Sequence, residues 1–431
     1  MAYRFIHSAD IHLDSPLRSL ALRDPELSNL IANATRRAFV RIIDLCLEEQ
    51  VDALLLAGDL YDGEQTSMKT ARFLADQIRR LDQAGTACFI IRGNHDALSK
   101  ITYELVFPDS VKVFGGRAEA VEIARSTADC PVFIHGLSFK QPQALENLLG
   151  KYKPPVEGAI NIGLLHTSLD GAPGHDPYSP CKLADLEASG FTYWALGHIH
   201  KRRVESGACT IVMPGIPQGR DINEAGPKSV TLVTIKDDRS VHTEERLISL
   251  AQFERLTVDV TKIDDWPFLV KDMSRAIAEA RRAVPSEQLV VRLRLKGRTP
   301  LAWRIRRDAH LLEAELEQRA AGIGSCWIEK IEIDCHAPGG FNALPGDPRT
   351  ELRRLIEDEV LKSPAFQIEA GKIIEELKDQ LPAECRDIFG VDEAAFEAAI
   401  RRLTKEGALD VLARLHAMAG DERSADAAQA A

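Results

Sequence analysis

The chain has no long apolar run, no cysteine pair spaced for a metal or redox site, and no excess of basic residues. None of its apolar stretches approaches the roughly 18 uninterrupted residues of a membrane-spanning helix, so no membrane span is expected. The N-terminal segment also lacks a charged region followed by an apolar core, as a signal peptide would have. These absences predict a cytoplasmic protein.

The eight cysteines are scattered along the chain, mostly within or beside apolar runs. None of them forms the C-x-x-C spacing that is typical of thiolate metal sites and redox motifs. Free thiols in a reducing compartment are the simplest interpretation. A disulfide framework is therefore not expected to organise this fold.

The net charge of −11, from 65 acidic and 54 basic residues, argues against a non-specific nucleic-acid binder that acts alone. It argues less strongly against an enzyme whose bound cations neutralise a scissile phosphate. Basic residues also cluster locally. The alternating segment 291–296 predicts a strand with one basic face, which could contact either a nucleic acid or water, and the run 201–203 has the same two interpretations.

The first half of the chain carries four short motifs rich in histidine and aspartate. They are Asp10-Ile-His12, Gly58-Asp59-Leu-Tyr-Asp62, Gly93-Asn94-His95-Asp96 and Gly197-His198-Ile-His200, and a further histidine, His166, stands alone. Each follows an apolar run that predicts a buried strand, at 3–8, 53–57, 87–91, 160–165 and 193–196. Because strands packed side by side deliver the residues at their carboxyl ends to one rim, we expect these side chains to meet.

Imidazole and carboxylate ligands without thiolates suit manganese, iron or zinc, and a carboxylate can bridge two ions. Two divalent ions about 3.5–4 Å apart clamp a phosphate and lower the pKa of a water between them. Taken singly, each motif also fits an ordinary strand-end turn or helix cap. Their joint occurrence favours a two-metal phosphoesterase site.

The same motifs, with Ser8-Ala9 before the first, resemble those of the calcineurin-like metallophosphoesterases. Within that family they resemble most the DNA repair exonucleases of the SbcD type. Asp14-Ser15-Pro16 and the stretch 167–176 place the resemblance closest to the bacterial YhaO branch, since SbcD-type proteins usually have glycine at the position of Asp14. The motifs cover roughly the first half of the chain.

The resemblance implies a role for nine residues. One ion would be held by Asp10, His12 and His200, the other by Asn94, His166 and His198, with Asp59 as the bridge. His95 would be the catalytic group that assists the leaving sugar oxygen, and Asp96 would fix its tautomer. The resemblance also favours manganese as the metal and a homodimer as the assembly.

The pattern of elements predicts an α/β protein of five segments. Residues 1–250 form a four-layer metallophosphoesterase sandwich, in which helices flank two packed mixed sheets, and this is also the fold that the resemblance implies. Residues 251–335 have the β-α-β-α-β order of a small α/β cap domain, and 336–348 form a linker rich in turn residues. Residues 349–419 form a helical C-terminal tail, and 420–431 are expected to be disordered.

We expect a DNA exonuclease, with endonuclease activity as a further expectation, that is the nuclease subunit of a repair complex. The resemblance implies that the helices of 349–419 dock on the coiled-coil base of an SbcC-type ATPase, YhaN-like in this branch. Packing of these helices on their own chain is the alternative. Two other functions stay open: a phosphodiesterase or phosphatase with a non-DNA substrate, and a scaffold that regulates a partner ATPase with little hydrolysis of its own.

Overall fold

The structure is a computed structural model, and it describes residues 2–15, 25–62, 67–98, 107–123, 130–171, 178–338, 348–381, 386, 389–390 and 392–429. The chain divides into two compact units, the first built mainly from residues 28–253 and the second mainly from 288–431.

Twelve described strands build two six-stranded sheets in the first unit. They are β1 (Ala2–Ser8), β2 (Ala53–Ala57), β3 (Ala87–Ile91), β4 (Val111–Val113), β5 (Glu119–Ile123), β6 (Val132–Gly136), β7 (Ile160–His166), β8 (Tyr193–Gly197), β9 (Arg203–Ser206), β10 (Thr210–Met213), β11 (Ser229–Lys236) and β12 (Val241–Leu247). The strand orders are β12-β11-β1-β2-β3-β4 and β5-β6-β7-β8-β10-β9. The pairs β1–β2–β3–β4 and β6–β7–β8–β10 are parallel, so their carboxyl ends lie on one edge of each sheet.

The layers are separated by distinct apolar cores. Leu55 of β2 and Leu164 of β7 are both buried in the core between the two sheets. Leu54, whose side chain points to the opposite face of β2, packs with the helices α1 (Pro25–Glu48) and α2 (Met68–Gln83). The outer face of the second sheet packs around Trp194 and the short helix α3 (Leu183–Glu187). This order of helix, sheet, sheet and helix is the predicted four-layer sandwich.

The second unit contains a three-stranded sheet with helices. Its strands are β13 (Ala251–Asp259), β14 (Gln288–Arg298) and β15 (Cys326–His336), and its helices are α4 (Trp266–Ala283), α5 (Ala302–Arg307) and α6 (Ala309–Ile323). Asp265 caps α4, because its carboxylate accepts a hydrogen bond from the backbone N–H of Phe268 at 2.9 Å. Leu269, Leu293 and Leu312 lie in its core and are fully buried.

Two arginines on the basic face of β14 form ion pairs within the unit. Arg292 pairs with Glu329 at 2.6 Å and with Glu332 at 3.3 Å, and Arg294 pairs with Asp334. These carboxylates stand on β15, which runs parallel to β14 and was predicted only as a separate strand. The sequence alternation therefore marks a strand whose arginines form ion pairs with the neighbouring strand. Contact of this face with nucleic acid or with water stays a prediction.

The C-terminal helices are α7 (Pro348–Leu355), α8 (Pro364–Gln380) and α9 (Glu393–Gln429), with a π-type turn at Ile356–Val360. Helix α9 packs against α5, where Arg306 pairs with Asp410 at 3.2 Å and Leu412 is buried. It continues through most of the segment 420–431, for which disorder stays a prediction. Across the described residues, we find no helix that combines the length and the apolar character of a membrane span.

Candidate metal centre

Strained backbone at the strand ends turns the motif side chains toward one another. Asp10, His12, Asp59 and His198 have φ values of 53°, 47°, 54° and 102°, in the left-handed region that non-glycine residues rarely adopt. Two hydrogen bonds of 3.0 Å, from the N–H of Asp10 to the carbonyl of Gly58 and from the N–H of His12 to the carbonyl of Asp59, hold the first two loops together. Such strain is typical of functional sites.

The glycines of the motifs are required by the close approach of His166. A Cβ added to Gly93 would lie 2.6 Å from Nε2 and Cε1 of the His166 ring. Gly58 has a φ of 98°, and a Cβ there would collide with Nδ1 of the same ring. A side chain at either position would therefore displace a predicted ligand.

The first group of predicted ligands, Asp10, His12 and His200, comes together as expected. One ligand atom of each lies within 4.8 Å of the other two. The Nδ1 atom of His12 lies 2.5 Å from Asp62, and that of His200 lies 2.8 Å from Glu224. Carboxylates in this position fix the tautomer of a metal-binding histidine, with the proton on Nδ1 and the lone pair on Nε2.

The second group, Asp59, His166 and His198, has ligand atoms within the same 4.8 Å limit, and Oδ1 of Asn94 lies 3.0 Å from Nε2 of His166. The Nδ1 atom of His166 donates to the carbonyl of Ala57 at 2.9 Å. The two groups adjoin, because the carboxylate of Asp10 accepts the backbone N–H of His198 at 3.0 Å. All seven predicted ligands thus lie in one region of the first unit.

The donor set fits divalent metal ions. A carbonyl can only accept, so Nδ1 of His166 carries a proton, and Nε2 faces oxygen atoms of Asn94 and Asp59, the latter at 3.3 Å. Burial opposes a charge on His166, but the Asp59 carboxylate outweighs it and raises the pKa of His166 to about 9. A positive charge, either a proton or a metal ion, is therefore stabilised at this point.

His95 lies at the open side of this region, with 44% of its side chain exposed. Its Nδ1 lies 3.2 Å from Asp62, and its ring packs edge-on against His12 at 4.9 Å. Burial alone would lower the pKa of His95, but the hydrogen bond to Asp62 and the negative charges of Asp62 and Asp59 together outweigh it, and the pKa is raised. The group is therefore exposed to a substrate and suited to carry a proton.

Asp96 is not the partner of His95, and this sequence-based prediction is wrong. Its carboxylate is fully buried and accepts the backbone N–H groups of Gly93 at 2.7 Å and Leu60 at 2.9 Å. Burial raises its pKa to about 7. Consecutive side chains in the turn point in different directions, so Asp96 holds the loop while Asp62 contacts His95. A catalytic role for Asp96 itself stays a prediction.

Sequence reasoning missed three residues that surround the ligands: Asp62, Glu224 and Arg220. The guanidinium of Arg220 lies 2.8 Å from Glu224 and 3.6 Å from Asp62, so it joins the two carboxylates that orient His200 and His12. Asp62 is the last residue of the second motif, so its position in that motif was a signal that could have identified it. Glu224 and Arg220 follow the last motif without a recognisable pattern. Only the fold brings them to the site.

Family models match two parts of the chain. Residues 3–202 match "Calcineurin-like phosphoesterase", and residues 253–336 match "Metallophosphoesterase YhaO, middle domain". A solved dimetal phosphatase from Danio rerio overlaps 57% of this chain and 98% of its own at 14% identity and a TM-score of 0.36, which is too weak to add to the assignment.

Curated relatives resemble the chain over different shares of its length. The chain is 30% identical to the uncharacterized metallophosphoesterase YhaO of Bacillus subtilis over 395 residues, 87% of this chain and 95% of that protein. It is 28% identical to the DNA double-strand break repair protein Mre11 of Sulfurisphaera tokodaii over 47% of this chain and 50% of that protein. It is 23% identical to the SbcD component of the SbcCD nuclease of Bacillus subtilis over 57% and 70%, respectively. With this coverage and the site described above, the chain belongs to the calcineurin-like metallophosphoesterases and contains a YhaO-type middle domain.

Proposed function

We propose that this chain is a two-metal phosphodiesterase that hydrolyses DNA in the cytoplasm, with manganese as the metal. The observation that carries the proposal is the convergence of two ligand groups, Asp10 with His12 and His200, and Asp59 with His166 and His198. Asp59 would bridge the two ions, and Asn94 would complete the second group. The Mre11 and SbcCD relatives, named for DNA repair and nuclease function, support DNA as the substrate.

Bound divalent ions would polarise the phosphate and lower the pKa of a water placed between them. The remaining chemistry belongs to side chains of the chain. His95, with its pKa raised by Asp62, donates a proton to the leaving sugar oxygen as the P–O bond breaks. Water supplies the new P–O bond, so the products are a phosphate monoester and an alcohol. Asp62 also holds His12, and it therefore couples proton donation to ligand orientation.

We assign the helical C-terminal region to the docking of a coiled-coil ATPase of the SbcC or YhaN type. Apolar side chains of α7 and α8 are exposed there, namely Leu352 at 39%, Leu355 at 41%, Ile368 at 59%, Ile373 at 59% and Leu377 at 49%. An apolar surface of this kind suits a helical partner. Replacement of Ile368 and Ile373 by aspartate should abolish co-purification with the ATPase, whereas unchanged co-purification would contradict this assignment.

The central experiment measures hydrolysis by the full chain with manganese, with and without the Asp59→Asn substitution. The substrates are 3′-labelled double- and single-stranded DNA and bis-p-nitrophenyl phosphate. We expect DNA degradation by the wild-type chain and none by the variant, because Asp59 lies in the second ligand group. Hydrolysis of the small ester alone, even after addition of the ATPase, would indicate a non-DNA substrate, and no hydrolysis of either would indicate a scaffold.

A further inference from the structure

The first unit contains a cavity with a cationic lining that is separate from the predicted metal ligands. It has a volume of about 440 Å³ and is lined by Arg92, Gly115, Gly116, Arg117, Glu119, Phe139 and Lys140. None of these residues belongs to the predicted ligand set.

The topology places this cavity beside the metal centre. Arg92 follows β3, Arg117 follows β4, and Lys140 follows β6, so all three lie after the carboxyl ends of strands. Strand β4 is the parallel neighbour of β3, and β6 is the parallel neighbour of β7, which ends in His166. The cavity therefore lies beside the ligand-bearing strands β3 and β7, at the carboxyl ends of their neighbours β4 and β6.

Phe139 forms a wall between the cavity and the metal centre. Its ring lines the cavity on one side and packs edge-on against the ring of His166, with centroids 5.5 Å apart. Its backbone N–H donates to the carbonyl of Arg92 at 3.0 Å, which joins the loops that follow β3 and β6. A ligand in the cavity would therefore be separated from the metal centre by about one aromatic ring.

The charge of the lining favours an anion. Arg117 and Lys140 are exposed, and in the described part of the chain neither forms an ion pair with a carboxylate. The one carboxylate of the lining, Glu119, is engaged by Lys112 at 2.6 Å. The basic run after the last motif differs, because Arg203 pairs there with two carboxylates, those of Asp170 and Glu205.

We infer that this cavity is a subsite for a phosphate group of the DNA strand that neighbours the phosphate being hydrolysed. This subsite rests on the proposed function, and its role would be to position the DNA strand through a phosphate next to the one that is hydrolysed. Contacts with backbone phosphates fix the register of a nucleic acid on a protein. A small diester has no second phosphate to place there, so the subsite acts on DNA and not on bis-p-nitrophenyl phosphate.

The test compares the Arg117→Gln/Lys140→Gln double variant with the wild-type full chain in manganese. The matched control is Lys236→Gln/Arg239→Gln, which removes the same charge from exposed positions. Lys236 pairs with Ala2 at the amino end of β1, on the edge of the sheet away from the metal centre. The measurements are kcat/KM for a labelled DNA duplex at several salt concentrations and kcat/KM for bis-p-nitrophenyl phosphate.

We expect kcat/KM of the double variant for DNA to fall about tenfold, because charged hydrogen bonds to one phosphate are lost. The slope of log(kcat/KM) for DNA against log[salt] should become shallower by about one. Hydrolysis of the small ester and both activities of the control should equal those of the wild type. Glu119→Gln should act in the opposite direction and increase kcat/KM for DNA.

An unchanged salt slope in the double variant, or an equal loss of both activities, would overturn the subsite. Failure of the proposed function would be visible in the wild-type chain itself. That chain would then hydrolyse the small ester but would neither bind nor cleave DNA. The two failures are therefore distinguishable. Because Arg117 and Lys140 are exposed, their replacement by glutamine should leave the folded structure unchanged.

Discussion

The Nε2 atoms of His12 and His200 lie 3.2 Å apart, and both rings direct Nδ1 toward a carboxylate. Two lone pairs at this separation repel each other unless a cation lies near both. We therefore expect divalent metal to stabilise the first unit, by about 2.7 kcal/mol at a concentration one hundred times the dissociation constant. Thermal unfolding in manganese and in chelator measures this, and an equal shift in a His12→Gln/His200→Gln variant would contradict it.

Arg220 should set the metal affinity of the group that contains His12 and His200. Its planar guanidinium contacts both Glu224 and Asp62. A lysine at this position would keep the positive charge but could not make both contacts in the same geometry. We expect Arg220→Lys to weaken binding of one of two manganese ions by roughly 10–100-fold, as loss of outer-shell partners does. Calorimetric titration of the metal-free chain measures both affinities.

Arg292→Lys is the matched control for that variant. Arg292 also joins two carboxylates, and its side chain is 19% exposed against 22% for Arg220, but it lies in the second unit. Both lysine variants should lose similar stability, while only Arg220→Lys should change manganese binding. Wild-type affinities in Arg220→Lys would show that the guanidinium has no positioning role.

His95→Gln should reduce turnover without loss of metal. His95 lies near His12 and Asp62 but belongs to neither of the two groups that hold the predicted ligands, and its side chain is 44% exposed. General acid catalysis contributes about 10²–10⁴-fold, so kcat should fall within this range. Manganese content, measured by elemental analysis, should stay at the wild-type value. Wild-type kcat in this variant would refute the assignment of His95.

Metal binding at the second ligand group should release a proton below about pH 9. In the metal-free chain, the Asp59 carboxylate raises the pKa of His166 to about 9 against the opposing effect of burial. The ion must displace that proton, so its apparent affinity should rise about tenfold per pH unit up to this pKa. Burial lowers the pKa of His12, so His12 should release no proton on metal binding near pH 7. Calorimetry at pH 7 in two buffers of different ionisation enthalpy counts the protons, and a count of zero would contradict the prediction.

His7 should make the first unit less stable at acidic pH. It is fully buried, and burial lowers its pKa from 6.5 to about 3. The unfolded chain therefore binds one more proton than the folded chain between these values, so stability is fully present above pH 6.5 and falls as the pH decreases. The loss at pH 5 is about 2 kcal/mol. Urea unfolding at pH 7 and pH 5 should show this difference in the wild type and a smaller one in His7→Gln.

The ligand-bearing strands were predictable because their apolar runs and the motifs that follow are local in sequence. The edge strands and the pairing of β14 with β15 depend on contacts between distant residues. His12 and its partner Asp62 are 50 positions apart, and His200 and Glu224 are 24 apart. Composition and spacing indicate such ligands, but not the carboxylates that orient them. Asp96 was wrongly predicted to contact His95 because the two residues are adjacent in sequence, although their side chains point to different partners.

The left-handed backbone at Asp10 and Asp59 determines how an inactive form of this protein should be made. Alanine at these positions would remove the ligand and also place an unfavourable residue in a conformation that asparagine tolerates. Asparagine keeps the side-chain shape and one acceptor oxygen while it removes the negative charge. A chain with asparagine at both positions should therefore fold like the wild type, and it is the form suited to capturing uncleaved substrate for crystallography.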